Sequence, residues 1–248
     1  MKDKAPLKLY QFAISHYCEK ARWALDYKGL DYQIINLLPG LHFSKTKKFS
    51  PNSNLPILVH GDKTIQGSSQ IIDYLDLHFT DKSLTPVKEA DAVQAKEWEK
   101  FADENIGPHI RRILYHTLLA HPEIVIPFFS HHGPWYSKFY FKVGFKKLVR
   151  VMRKFMSIND ENVRISEQIL SNAIEKIGLH LGQQTSSFMV GDQFSRADLA
   201  IAALLAPLIR PIQYDLPWPN TYPDEIDVLT QKYQGKLDHI ERYYCEFR

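Results

Sequence analysis

Cysteine is scarce: the 248 residues contain only Cys18 and Cys245. Two cysteines build no disulfide framework, and a reducing, cytoplasmic compartment is the expectation. Long hydrophobic runs are also missing. The longest, Leu199 to Ile209, is too short to cross a bilayer and holds Pro207. Neither sign of charge dominates. Lys and Arg number 31 against 28 Asp and Glu, a net +3, which is no nucleic-acid footprint, and no nucleic-acid-binding signature is present. No internal repeat or low-complexity tract occurs. The polar first residues lead straight into a strand-like run, so no signal peptide is expected.

What is present is enough apolar residue, 44% of the chain, for a sizeable core in one or two domains. The organising stretch is Ser15-His16-Tyr17-Cys18-Glu19-Lys20-Ala21-Arg22. It follows an apolar run, Leu7 to Ala13, that reads as a strand, and it opens a helix-like run to Leu30, with Gly29 suited to its end. A hydroxyl, an imidazole and a thiol therefore stand where a strand passes into a helix. A helix N-terminus offers free N–H groups and a partial positive charge to an anion. Two readings of Ser15 stay open: a plain helix N-cap, or a donor to a bound thiolate.

Tyr32 to Leu38, Pro56 to Val59 and Lys63 to Gln66 read as strands. The last two are joined by a hairpin at His60-Gly61-Asp62. His42 to Phe49 reads as a basic connection and Ser68 to His78 as a helix. Residues 81–87 read as a polar linker, and nearly everything beyond is helical. Asp91 to Leu119 is amphipathic with a break at Gly107-Pro108. His121 to Pro134 reads as irregular. Phe141, Phe145, Leu148, Met152 and Phe155 fall at helical steps. Asn162 to Leu181 is a further helix. Ser195-Arg196-Ala197-Asp198 starts a buried helix with a capping box. A proline-rich loop over 211–223 precedes one last helix from Asp224.

Four motifs in order resemble the cytosolic glutathione transferase superfamily, of bacterial type. They are Ser15-His16-Tyr17-Cys18 after the first strand, Asn54-Leu55-Pro56-Ile57-Leu58-Val59, Gln66-Gly67-Ser68-Ser69-Gln70-Ile71-Ile72-Asp73-Tyr74-Leu75, and Gly191-Asp192-Gln193-Phe194-Ser195-Arg196-Ala197-Asp198-Leu199. Asn105 to Arg112 and the long middle insert are also similar to the branch containing the type-2 membrane-associated prostaglandin E synthase. The resemblance implies an α+β thioredoxin-like domain over 1–80, a linker over 81–87 and an all-α domain over 88–248. It implies a homodimer with glutathione as co-substrate. The implied function is activation of the glutathione thiolate for attack on an apolar electrophile, as in detoxification. A glutathione-dependent isomerase or peroxidase, and a non-catalytic binding protein, are the alternatives.

A free thiol titrates near ~8.5, so such a site must stabilise the thiolate. Ser15 is the favoured donor, at a helix N-terminus. His16, Tyr10 and Cys18 are the supporting candidates. Tyr10 is one residue out of register, which reverses its face. Cys18, inside the helix, fits packing. The resemblance makes Pro56 a cis proline, so that Leu55 offers its backbone to glutathione. Ser68 is then placed on the γ-glutamyl carboxylate, with Lys48 and Asn54 on the glycyl end. Gly67 departs from the pattern, where the family carries Glu or Gln. His109, Arg112, Tyr115 and Phe139 are the expected second-substrate residues. No metal is expected, because His131-His132 lacks further ligands at defined spacing. The segment 135–154 is basic and amphipathic. Such a helix can lie on a membrane, although its aromatics also fit a core.

Overall fold

The computed structural model describes residues 5–50 and 52–248. Residues 1–4 of the expected first domain lie outside the described residues. The N-terminal domain is thioredoxin-like, a four-stranded sheet in the order β2-β1-β3-β4. Strand β1 (Leu7–Gln11) pairs parallel with β2 (Tyr32–Asn36) and antiparallel with β3 (Ile57–His60). Strand β4 (Lys63–Gln66) closes the hairpin with His60 opposite Lys63. Leu7, Leu9 and Gln11 of β1 alternate inward with Lys8 and Tyr10, so a single residue of shift would exchange the faces. Helices α1 (His16–Tyr27) and α3 (Ser68–His78) pack together with the buried face of the sheet.

The rest is mostly helical. Helices α4 (Glu89–Asn105) and α5 (Gly107–Leu118) are separated at Ile106, as Gly107-Pro108 foretells. Then come α6 (Pro122–Ser130), α7 (Ser137–Phe155), α8 (Asp160–Gln183), α9 (Arg196–Ile209), α10 (Asp224–Lys232) and α11 (Asp238–Phe247). Helix α9 is capped by Ser195 and Asp198 in a reciprocal box and is buried along nearly its whole length. It packs behind α1 in the shared core, and this places the Ser15 turn against the helical part.

Three expectations are corrected. The supposed connection at 42–49 contains a short helix, α2 (His42–Thr46). The supposed irregular stretch 121–134 contains α6, whose Pro122 occupies the first turn, where a missing N–H costs nothing. The last helix is two, interrupted at Gly235 with its left-handed φ of 77°.

Candidate functional site

Ser15 caps α1, and its hydroxyl accepts from Cys18 N–H at 3.4 Å. That bond is long. It uses only an oxygen lone pair, and the same hydroxyl is also within hydrogen-bond reach of the Cys18 thiol. The turn itself is fixed from several sides. Phe12 C=O accepts from Ser15 N–H at 3.1 Å. Ala13 C=O accepts from Arg22 at 3.3 Å, and Ile14 C=O from the Tyr214 hydroxyl at 2.9 Å. Arg22 also donates to Gln11, whose amide reaches Asn36 of the neighbouring strand.

His16, the first residue of α1, is buried. Its Nε2 lies 3.1 Å from Gly107 C=O on α5. A carbonyl only accepts, so Nε2 carries the proton. Burial, and then the charge of Arg111, lowers the imidazole to about 3 against the opposing Gly107 bond. The ring is therefore neutral near pH 7. Burial pushes the Cys18 thiol up, and its side chain is fully enclosed. Tyr10 lies on the sheet face opposite Gln11, with its ring 4.8 Å from that of Phe49.

The Leu55–Pro56 bond is cis. Leu55 makes no backbone hydrogen bond among the described residues. Asn54 is exposed and its C=O accepts from Gln66 Nε2 at 2.8 Å; the same amide donates to Asn52 C=O, and Gln66 Oε1 accepts from Ser50. Gln66 thus secures the loop before Pro56. Lys48 projects to solvent. Gly67 N–H donates to Pro56 C=O at 3.0 Å. Its φ of 97° is left-handed, and an added Cβ would collide with the Gln70 carboxamide. The departure from Glu or Gln at position 67 therefore has a backbone cause. Ser68, at the start of α3, is buried, and its hydroxyl has no protein partner among the described residues.

Ser69, next to it, is taken up elsewhere. It donates to Asp103 at 2.9 Å and accepts from Lys20 at 3.0 Å. Lys20 also meets Asp103 and Glu99, each at 2.8 Å, and Arg196 reaches Glu99 and Asp73. Burial pushes the Glu99 carboxyl up, but Lys20 and Arg196 outweigh it and hold it below the ordinary glutamate value. This network joins α1, α3, α4 and α9. Its members are distant in sequence, and sequence reasoning missed it.

On α5 the predicted second-substrate residues divide. His109 and Arg112 face α8, where both bond Ser166, at 3.1 Å and 2.7 Å. Arg112 also donates to Met156 C=O. They brace two helices and are not brought to the Ser15 turn. Tyr115 lies on the side of Gly107 and packs against Phe129. Phe139 projects to solvent from α7. His131-His132, isolated in the sequence, meets Asp215 across 83 residues. His132 Nε2 lies 2.8 Å from the Asp215 carboxylate and His131 Nε2 2.7 Å from its carbonyl. The three donor atoms lie within 4.8 Å of one another, so folding supplies the third group that the sequence did not show. No helix among the described residues is long and apolar enough to cross a membrane.

Residues 9–83 match the family model for the N-terminal domain of glutathione S-transferase. The chain is similar to glutathione S-transferase Z1 of Arabidopsis thaliana, 45% identical over 83 residues, or 32% of this chain and 38% of that protein. A probable glutathione S-transferase of Nicotiana tabacum is 31% identical over 104 residues, 42% of this chain and 47% of that one. The chain thus spans under half the length of these curated relatives. Among solved structures, a beta-etherase from Sphingobium sp. strain SYK-6 aligns over 97% of this chain and 95% of its own, at a TM-score of 0.67 and 18% identity. A glutathione S-transferase from Methylobacterium radiotolerans, solved with glutathione sulfonate, covers 95% and 94% at 0.56 and 18%.

Proposed function

We propose that the chain, whose residues 9–83 match the glutathione S-transferase N-terminal domain, is a member of the cytosolic glutathione transferase superfamily that holds the glutathione thiolate at Ser15 for attack on an apolar electrophile. The observation that carries this reading is the Ser15 turn. Its hydroxyl oxygen is weakly engaged by Cys18 N–H, the hydroxyl lies beside the Cys18 thiol, and the carbonyls of residues 12–14 are all held. Because the cap uses only the oxygen, the hydroxyl can turn its hydrogen from the Cys18 thiol to a bound thiolate and still cap the helix. A preorganised donor at a helix N-terminus stabilises negative charge without rearranging.

Glutathione would lie along Leu55, with its γ-glutamyl carboxylate at Ser68 and the first turn of α3. Lys48 and Asn54 would serve the glycyl end. The thiol proton passes to solvent on binding. The sulfur then forms the new C–S bond. The leaving group departs with its bonding pair, or, on an activated double bond, the displaced pair takes a proton from water. Buried, protonated on Nε2 and tied to α5, His16 supports the turn rather than the sulfur. A cytoplasmic homodimer completes the proposal.

Calorimetric titration with reduced glutathione tests the binding. Ser15→Ala then tests the role. Turnover falls about a hundredfold with glutathione affinity retained, the size typical of one lost oxyanion donor. An unchanged rate moves the role off Ser15. Absence of binding at millimolar glutathione ends the transferase reading.

A further inference from the structure

Gly107, Arg111 and Tyr115 follow one another at four-residue steps and so share one side of α5. At one end of that side, Gly107 C=O meets His16, and the Gly107 Cα lies against the Tyr17 ring. At the other, Tyr115 packs on Phe129. Arg111, between them, faces the α1 terminus that carries Ser15. Its charge is felt at His16, Tyr17 and Tyr115.

Arg111 is half-buried, and its Nε is shielded from water with no acceptor. No carboxylate pairs with it among the described residues. The other cations of this region differ. Lys20 has Glu99 and Asp103, Arg22 has Glu19, Lys28 has Asp76, and Arg196 has Glu99 and Asp73. An unneutralised, partly desolvated guanidinium is costly, and such exceptions concentrate at functional sites. A planar guanidinium matches an oxyanion through two parallel bonds.

We infer that Arg111 is the anion-binding point of the second-substrate site. The electrophile carries a carboxylate or sulfonate beside its apolar reacting part. Arg111 holds that group while the reacting carbon meets the sulfur at Ser15. This inference rests on the transferase reading above, and deepens it by naming a substrate class.

The test compares 4-chloro-3,5-dinitrobenzoate with its methyl ester, each normalised to its uncatalysed rate. In both, glutathione sulfur bonds the ring carbon and chloride leaves with the bonding pair. Arg111→Gln lowers the carboxylate-to-ester ratio of kcat/KM about tenfold to a hundredfold, the size of a hydrogen bond to a charged group. Arg111→Lys restores part of it. An unchanged ratio overturns the inference. A second arm needs no glutathione. Arg111→Gln weakens fluorescence-detected binding of 1-anilinonaphthalene-8-sulfonate about tenfold relative to uncharged N-phenyl-1-naphthylamine. If glutathione does not bind but the sulfonate depends on Arg111, the transferase reading fails and the anion point stands. If sulfonate binding ignores Arg111, the anion point fails whether or not glutathione binds.

Helix α7 shows a separate, unrelated feature. Its 19 residues hold seven of the chain's 31 Lys and Arg and none of its 28 Asp and Glu. None of the seven forms an ion pair among the described residues. Phe141, Phe145, Leu148 and Met152 turn inward to the second core. Phe139 and Val143, one turn apart, are each 72% exposed among the cations, and Trp135 just before the helix is 94% exposed.

We propose that this face lies on an anionic phospholipid surface, with cations on headgroup phosphates and Phe139 and Val143 in the acyl boundary. Phosphates alone would call for the cations but not for the apolar pair between them, which disfavours a nucleic acid. Vesicles containing phosphatidylserine should pellet the protein and shift Trp135 fluorescence to the blue, and added salt should release it. The triple change K142E, K146E and R150E abolishes pelleting, and Phe139→Ser with Val143→Ser weakens it. Equal pelleting with pure phosphatidylcholine, no pelleting at low salt, stronger capture by a nucleic-acid oligomer, or a changed oligomeric state in the variants each overturns the proposal.

Discussion

Lys20 of α1 and Glu99 of α4 form an ion pair of 2.8 Å in which the two side chains are 0% and 3% exposed. Asp103 and Arg196 complete the set, so each buried charge has a counter-charge. The arrangement ties the first helix of the thioredoxin-like part to the helical part. Removing one partner leaves an uncompensated buried charge. Glu99→Gln and Lys20→Met are each expected to cost about 3–5 kcal/mol in urea unfolding. The double variant should cost less than the two added together, because it removes both charges. Additive losses would show that the two groups are not coupled.

A pH dependence follows from His16. Its pKa is lowered in the folded protein from 6.5 to about 3, and that of His239, for which burial is again the main cause, to about 4. A base held neutral binds fewer protons folded than unfolded. Stability from these residues is therefore complete above pH 6.5 and declines as pH falls towards 3–4. Each contributes a slope of about 1.4 kcal/mol per pH unit inside its window. His16→Asn should flatten the decline between pH 6 and 4 relative to wild type. Unfolding midpoints measured across that range check this, and parallel curves would refute it.

The two thiols should behave as opposites. Cys18 is enclosed with its thiol pushed up, while Cys245 is exposed. A thiol-specific chromogenic reagent should therefore titrate one group in the native protein and two in denaturant. Cys245→Ser should abolish the native reaction. Rapid loss of two thiols under native conditions would place Cys18 within reach of the site.

Features set by neighbouring residues were legible in the sequence. The capping box at Ser195 and Asp198, the break at Gly107-Pro108 and α3 from Ser68 to His78 all depend on contacts within a turn or two. Helix α2 was not legible, because it is five residues long and has no side-chain cap. Arg111 and Arg112 show the limit most clearly. The sequence marks both as cations on one helix. Only the arrival of Ser166 from α8 decides that Arg112 is a brace and leaves Arg111 to the other side. Likewise His131-His132 gained its third group only when residue 215 folded beside it. The four-residue spacing of Gly107, Arg111 and Tyr115 was available as a signal, but nothing local said which neighbour that side would face.

Gly67 gives the last prediction, because two effects coincide there and can be separated. Its φ of 97° disfavours any side chain, and the Gln70 carboxamide occupies the space a Cβ would take. Gly67→Ala should destabilise the fold by about 1–3 kcal/mol. Adding Gln70→Ala removes the collision and leaves the backbone cost, so the double variant should recover only part of the loss. Full recovery would assign the whole effect to the collision. Because residue 67 aims the first turn of α3, Gly67→Ala should also weaken glutathione binding through Ser68. The calorimetric titration reads that loss directly, and an unchanged affinity in the folded variant would remove Ser68 from the site.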